Sequence, residues 1–239
     1  MQDIGHQIVV KRSHRDSLAK FREGFASKPL SSGIATLPSL IVLDSILKTY
    51  QISNVLEIGR GLGTLTKFIG EELDCVIHSV ESNQYCINQS AFNCAGVEYL
   101  PYLGVSHIAT ESLHDIDLVV IDGPISRHEF PLLFLGDKVR IYFFENHQLV
   151  TKVRVLFHLF LQRRQARYVE VFPDHNFEGP SYVVSLPIMS KTSFLIGNTL
   201  SFVIMSPRLL RHCVHKLKKF QNPLVDSYSI SMWNPLDRL

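Results

Sequence analysis

In Asn54-Val-Leu-Glu-Ile-Gly-Arg-Gly-Leu-Gly-Thr64, a short apolar strand runs directly into a turn with three glycines spaced G-x-G-x-G. This segment is the strongest indication of the fold. Glycine has no Cβ, so such a turn can bend sharply and approach a ligand closely. A helix is predicted from about Leu62 to Glu72, and its first turn would present free N–H groups to that ligand. Glu57 adds a negative charge before the first glycine, which disfavours a pyrophosphate and favours a cation. The spacing also differs from the G-x-G-x-x-G of dinucleotide sites.

A second apolar strand, Cys75–Val80, ends at Glu81. This acid follows the glycine turn at about the distance, roughly 20 residues, at which doubly wound folds carry the acid that takes the ribose hydroxyls. One carboxylate can accept hydrogen bonds from two hydroxyl donors. Glu81 is therefore a candidate for ribose binding, and a solvated strand end is the alternative interpretation.

Strand and helix patterns alternate along the middle of the chain. This predicts an α/β fold: a doubly wound, mostly parallel seven-stranded sheet with one antiparallel strand and helices on both faces. The predicted strands are Asn54–Ile58, Cys75–Val80, Val97–Tyr102, Asp117–Asp122, Val139–Glu145, Tyr168–Phe172 and Tyr182–Leu186. Only the short segment Pro173–Pro180 separates the last two, which is too little for a parallel crossover, so they are expected to pair antiparallel.

Composition bounds the protein more than it identifies it. The formal net charge of +2 over 239 residues demands no polyanionic partner. The four cysteines (Cys75, Cys86, Cys94 and Cys213) show no C-x-x-C spacing, which predicts reduced thiols and a cytoplasmic protein. The polar N-terminus does not resemble a signal peptide, and no apolar run reaches the roughly 18 residues of a membrane span. No membrane partner is therefore predicted.

Several polar residues follow the predicted strands at the same rim. Asp122 ends the fourth strand, Glu145, Asn146 and His147 end or follow the fifth, and His175 follows the sixth. Ligands of open parallel sheets bind outside the carboxyl ends of the strands, so this rim is the expected reaction site. A histidine can accept a proton near neutral pH, which makes His147 and His175 candidate bases. A single histidine at a strand end is more often a structural residue.

The glycine turn with its upstream acid resembles the S-adenosylmethionine (SAM) loop of class I SAM-dependent methyltransferases. The resemblance runs from about Ser31 to Leu186 and implies that SAM is the cofactor. The implied cofactor-binding residues are Glu57, Gly59, Arg60, Gly61, Gly63, Glu81 and Ser82. With the rim residues above, the implied catalytic set is Asp122, His147 and His175.

A second resemblance is to small-molecule O-methyltransferases of the catechol and caffeoyl-CoA type. Asp122 with Glu145 and Asn146 is similar to their metal site, which implies Mg²⁺ or Ca²⁺ bound by oxygen ligands. The segment Ser32–Leu40 resembles the helix that covers the cofactor in that group. Two departures stand against the metal: Glu145 replaces the usual Asp, and no Lys follows Asp122 closely. In the alternative interpretation, Asp122 lies near the methionine end of the cofactor and Glu145 caps a helix.

The chain is expected to form one globular unit. Its segments are an N-terminal arm with the cofactor-covering helix over 1–50, a methyltransferase core over 51–188, and a packed C-terminal extension over 189–239. The predicted function is methyl transfer to an oxygen of a small molecule. One alternative is an RNA or protein methyltransferase that docks through the basic segment Pro207–Phe220; another is a non-catalytic SAM-fold module. Thr192–Met205 is expected to form a strand or hairpin. The acceptor and the oligomeric state stay open.

Overall fold

A computed structural model of the chain describes residues 12–26, 34–136, 138–145, 149–170, 180–186, 198–199 and 201. The helices are α1 (Arg12–Ala26), α2 (Leu37–Thr49), α3 (Thr64–Glu72), α4 (Gln84–Asn93), α5 (Thr110–His114) and α6 (Leu149–Leu161). The strands are β1 (Asn54–Ile58), β2 (Val76–Val80), β3 (Leu100–Tyr102), β4 (Leu118–Ile121), β5 (Arg140–Phe144), β6 (Gln165–Glu170) and β7 (Ser181–Leu186). Two single 3-10 turns, Val105–His107 and Phe130–Phe134, follow β3 and β4. No helix in these ranges is both long and apolar enough to cross a bilayer.

Within these ranges the strands form one seven-stranded sheet in the order β3-β2-β1-β4-β5-β7-β6. The neighbours from β3 to β5 are paired parallel, and β7 runs antiparallel to both β5 and β6. This confirms the predicted sheet and its single antiparallel strand. β4 and β5 are buried at every position, as central parallel strands covered on both faces must be.

Alternate residues of the central strands face two separate apolar layers. Leu56, Val119 and Phe144 belong to a layer that α6 covers with Val155 and Leu159. The opposite layer joins the other face of the same strands to α1, α2 and α3, through residues such as Leu18, Leu40, Val55, Leu65 and Val120. The predicted arrangement of helices on both faces is therefore confirmed.

Arg140, the first residue of β5, is a buried cation that donates to backbone carbonyls. Its side chain is 3% exposed, and its guanidinium donates to the carbonyl oxygens of Leu113, Ile116, Leu133 and Leu135. It lies at the amino end of the strands, across the sheet from the glycine turn. Its contacts tie α5 and the turn Phe130–Phe134 to the sheet.

At the outer edge of β6, the side chains of Asn198 and Ser201 form hydrogen bonds with the backbone. Asn198 accepts from the Ala166 N–H and donates to the Arg164 carbonyl, and the Ser201 hydroxyl accepts from the Tyr168 N–H and donates to the Ala166 carbonyl. Asn198, Thr199 and Ser201 are helical, so the strand or hairpin expected over Thr192–Met205 is wrong at these positions. Side-chain hydrogen bonds satisfy the edge groups that otherwise invite pairing with another chain.

We expect Ser201→Ala to destabilise the protein by about 1–3 kcal/mol, because it leaves the buried Tyr168 N–H without this acceptor. Urea unfolding followed by circular dichroism would measure the loss. Thr199→Ala is the control, since Thr199 lies in the same turn with an exposed side chain and should change stability by less than about 0.5 kcal/mol. Equal effects of the two variants would contradict the role given to Ser201.

Candidate functional site

The loop between β1 and α3 has three glycines in the left-handed region of backbone space. Their φ angles are +86° at Gly59, +53° at Gly61 and +88° at Gly63, a conformation that residues with a Cβ rarely adopt. The N–H groups of Gly59 and Arg60 both donate to the carbonyl oxygen of Val80, at 3.0 and 3.2 Å. The loop is therefore fastened to the end of the neighbouring strand.

Gly59 meets Gly123, the second residue after β4, backbone against backbone. A Cβ on Gly59 would lie 2.5 Å from the Gly123 nitrogen, and a Cβ on Gly123 would lie 2.8 Å from the Gly59 Cα. Neither position can hold a larger residue without a shift of the main chain. This contact brings Asp122 next to the glycine loop.

Helix α4 supports the loop from the other side. The Asn93 side-chain amide donates to the Leu62 carbonyl at 2.9 Å, and the Cys94 thiol lies 3.4 Å from the Gly63 carbonyl oxygen. A Cβ on Gly63 would come within 2.4 Å of the Cys94 sulfur. Burial raises the pKa of the Cys94 thiol to about 12, so it stays protonated and packs as a small apolar group.

The first turn of α3 begins at this loop without a side-chain cap. Gly63 is the capping residue in the left-handed conformation and offers no side-chain hydrogen bond. The buried Thr64 hydroxyl has no hydrogen-bond partner among the described residues. Uncapped N–H groups and the positive end of the helix dipole are the features of a helix start that can take a ligand.

Glu81 connects the loop to the start of α4. One of its carboxylate oxygens accepts from the Gly61 N–H at 2.8 Å, and the other accepts from the N–H groups of Ser82 and Asn83 at 2.9 and 2.8 Å. A carboxylate has about four acceptor positions, so three bonds leave capacity for a further donor. Glu81 is partly exposed and Ser82 exposed.

Glu57 lies beneath the loop, fully enclosed. Its Oε2 accepts from the hydroxyls of Thr66 and Ser79, at 2.5 and 2.6 Å. Burial raises the pKa of Glu57, while these hydroxyls and the nearby Arg60 act to lower it. Because Glu57 is enclosed, it could act on a bound ligand only through its charge or by holding the loop in position.

Arg60 is also turned into the protein, and its side chain is 3% exposed. Its Nε donates to the Ser90 hydroxyl at 2.8 Å and one Nη to the Ser79 carbonyl at 3.4 Å. The guanidinium carbon lies 4.9 Å from the centre of the Tyr99 ring. The guanidinium thus joins α4, β2 and the segment before β3.

Asp122 and Glu145 form a carboxyl pair at the ends of β4 and β5. The two side chains are hydrogen-bonded to each other, and burial, followed by the charge of Glu145 and then of Glu57 and Glu81, raises the pKa of Asp122 well above 3.8. Glu145 also accepts from the Thr36 N–H at 2.6 Å, which ties the segment before α2 to the rim. Two carboxyl groups can share a hydrogen bond only if one of them holds a proton.

The expected Mg²⁺ is not supported by this arrangement. An oxygen-ligand metal site needs ionised carboxylates with free lone pairs. The Glu145 carboxyl is instead hydrogen-bonded to the Thr36 N–H and to the Asp122 carboxyl. Among the residues that the structure describes, no group of three or more acidic, histidine or cysteine side chains is placed to hold an ion. Asn146, the third expected ligand, lies outside the described residues, as do the candidate bases His147 and His175.

Gly123 and the residues of α4 that hold the loop are not among the residues that the sequence predicts for the site. Gly123 follows the acid at the end of β4 directly, so a glycine at a strand end was the available signal. Ser90 and Asn93 lie on α4 and Cys94 directly follows it, with no sequence motif around them. Only the folded geometry brings them to the loop.

The fold matches solved structures of methyltransferases. No protein-family model matches the sequence, and no curated protein matches it significantly. An O-methyltransferase from Streptomyces achromogenes involved in tomaymycin synthesis, solved with SAM, matches 75% of this chain and 92% of its own, with a TM-score of 0.50 at 15% identity. A Bacillus cereus O-methyltransferase solved with S-adenosylhomocysteine matches 75% and 93%, with a TM-score of 0.50 at 13% identity. The chain therefore has the class I methyltransferase fold.

We expect Gly59→Ala to destabilise the protein by about 1–3 kcal/mol more than Gly96→Ala does, because only Gly59 has backbone in the way of a Cβ. Gly96 is a matched control: its φ of +87° imposes the same backbone strain, and nothing lies within 4 Å of its Cβ position. Urea unfolding of both variants would separate strain from close contact. Similar losses in the two would contradict the Gly59–Gly123 contact.

We expect Asp122→Asn to become more stabilising, relative to wild type, as the pH rises from about 4 to 7. The raised pKa of Asp122 means that the folded state holds its proton more tightly than the unfolded state. Wild-type stability therefore falls as pH rises from the ordinary pKa through the raised one, and asparagine removes that loss. Urea unfolding at several pH values would measure it, with the exposed Asp74→Asn as a charge-matched control. A pH-independent difference would contradict the proton held by the pair.

Proposed function

We propose that this chain is a SAM-dependent methyltransferase that transfers a methyl group to an oxygen of a small molecule. The observation that carries the proposal is the left-handed glycine loop at the start of α3, with the Glu81 carboxylate on the Gly61 N–H. The Asp122–Glu145 pair lies at the carboxyl ends of the neighbouring strands β4 and β5, on the same rim as the glycine loop. The solved O-methyltransferases with the same fold support the choice of cofactor and of oxygen as the acceptor atom.

The residues of the loop suit a nucleoside with a positively charged tail. Gly59, Gly61 and Gly63 would let the cofactor approach the main chain, and Glu81 would accept from the ribose hydroxyls. The unpartnered Thr64 hydroxyl offers a further polar contact. SAM, when bound, supplies a methyl group on a sulfonium centre, and the acids around the loop favour that positive charge.

Asp122 would act on the acceptor. A hydroxyl must lose its proton as the methyl group is transferred. With one proton shared between Asp122 and Glu145, the pair still carries one negative charge and can accept that proton, and the raised pKa of Asp122 makes it a stronger base than an ordinary aspartate. Glu145, fixed by the Thr36 N–H, would hold Asp122 in position. The rest of the rate would come from alignment of the acceptor, which can supply roughly 7–11 kcal/mol.

The two alternatives rest on sequence alone. An RNA or protein methyltransferase would use the basic segment 207–220, and that segment lies outside the described residues. A non-catalytic SAM-fold module would keep the glycine loop and would not need Asp122. Steep salt dependence of polynucleotide binding would support the first.

We expect S-adenosylhomocysteine to bind the wild-type protein and to bind Glu81→Ala about 10- to 100-fold more weakly, because hydrogen bonds to a charged group contribute about 1.5–3 kcal/mol. Isothermal titration calorimetry of EDTA-treated protein would measure both. A ligand analogue without the ribose hydroxyls is the control, since the Glu81→Ala variant should lose little further affinity for it.

Two outcomes would count against the proposal. No binding by the wild type would remove SAM as the cofactor and leave only the fold. Equal losses for S-adenosylhomocysteine and for the deoxyribose analogue would mean that Glu81 acts through the loop backbone and not on the ribose.

A further inference from the structure

Arg60 is the one residue of the glycine loop with a long charged side chain, and its contacts all lie behind the loop. We propose that Arg60 is a positioning residue for the cofactor site, which holds the glycine loop against α4 without touching the ligand. This inference rests on the function proposed above. It assigns Arg60 a different role from the cofactor contact that the sequence pattern implies.

The loop is attached to α4 and its C-terminal end by a row of hydrogen bonds. Arg60 bonds to Ser90, the Leu62 carbonyl to Asn93 and the Gly63 carbonyl to Cys94. Ser90 lies one helical turn before Cys94, so one face of α4 holds three of four consecutive loop residues. The fourth, Gly61, is held by Glu81 just before α4.

The charge of Arg60 lies in a buried environment. Arg60 is a cation next to the fully buried Glu57, and its charge acts to lower the pKa of that carboxyl against the larger effect of burial. A buried guanidinium is expensive unless its hydrogen bonds are good and its charge is matched. Arg60 donates to the Ser90 hydroxyl at 2.8 Å and to the Ser79 carbonyl at 3.4 Å, and its charge is opposite to that of Glu57; these contacts hold the guanidinium behind the loop.

Arg140 is a second buried arginine in the described part of the chain, with which Arg60 can be compared. Both side chains are 3% exposed, and both guanidinium groups donate to backbone carbonyls. Arg140 begins β5 at the amino end of the parallel strands, whereas Arg60 follows β1 at the carboxyl end, where the ligand is expected. Arg60 and Arg140 are therefore equally buried, and of these two only Arg60 lies at the glycine loop.

The experiment compares Arg60→Met with Arg140→Met, using titration calorimetry for S-adenosylhomocysteine and scanning calorimetry for Tm. Both variants should lower Tm. Only Arg60→Met should weaken ligand binding, by about tenfold, because the loop loses its charged hydrogen bond to Ser90 and the ligand must then order the loop as it binds. Arg140→Met should stay within about twofold of wild type. Arg60→Lys should recover part of the affinity, because it keeps the charge but not the planar fork.

Ser90→Ala serves as the second variant if Arg60→Met does not fold. It should weaken ligand binding in the same direction with a smaller fall in Tm, and wild-type affinity in this variant would overturn the inference. Wild-type affinity in Arg60→Met, or an equal loss in Arg140→Met, would overturn the inference alone. No binding by the wild-type protein would overturn the proposed function and this inference with it.

Discussion

The backbone contact between Gly59 and Gly123 is the constraint on which the site depends. β1 and β4 are neighbours in the sheet, and their following loops can meet only if neither carries a side chain at the point of contact. With a Cβ at either glycine the loops would have to separate. That separation would move Asp122 away from the glycine loop and from the start of α3. One pair of glycines thereby joins the glycine loop to the Asp122–Glu145 pair, which are the proposed cofactor-binding and reactive parts of the rim.

The loop itself is held by what lies behind it. Its conformation requires positive φ at three positions, which by itself costs conformational entropy because glycine is flexible when unfolded. The hydrogen bonds to Val80, Glu81, Asn93 and Cys94 fix the loop in one arrangement. A ligand that bound there would meet main-chain groups already in position and would not have to order them.

The sequence predicted the sheet and the loop well because both depend on local signals. Alternating apolar strands, the G-x-G-x-G turn and the short segment before the last strand are readable without knowledge of distant contacts. The inward course of Arg60, the enclosure of Glu57 and the bond between Asp122 and Glu145 depend on contacts between residues far apart in the chain. Arginine, glutamate and aspartate side chains are usually exposed, so composition alone suggests the opposite of what the structure has. The edge bonds of Asn198 and Ser201 depend on long-range contacts in the same way, whereas the apolar pattern of Thr192–Met205 by itself predicts a strand or hairpin.

The charges at the rim decide which kind of ligand the helix start can take. A helix N-terminus favours an anion by about 0.3–1 kcal/mol, and on that ground alone a phosphate would be a reasonable ligand. However, Glu57, Glu81 and Glu145 all raise the pKa of Asp122 through their charges, so their fields overlap at the same place. A unit negative charge about 8 Å away disfavours an anion by about 2 kcal/mol at an effective dielectric constant of 20. Two or three charges at about that distance would outweigh the helix, and the buried Arg60 would offset only one of them. A ligand with a positive charge therefore suits this rim better than a phosphate does, which is the physical reason to prefer a sulfonium cofactor over a dinucleotide at a glycine loop of this kind.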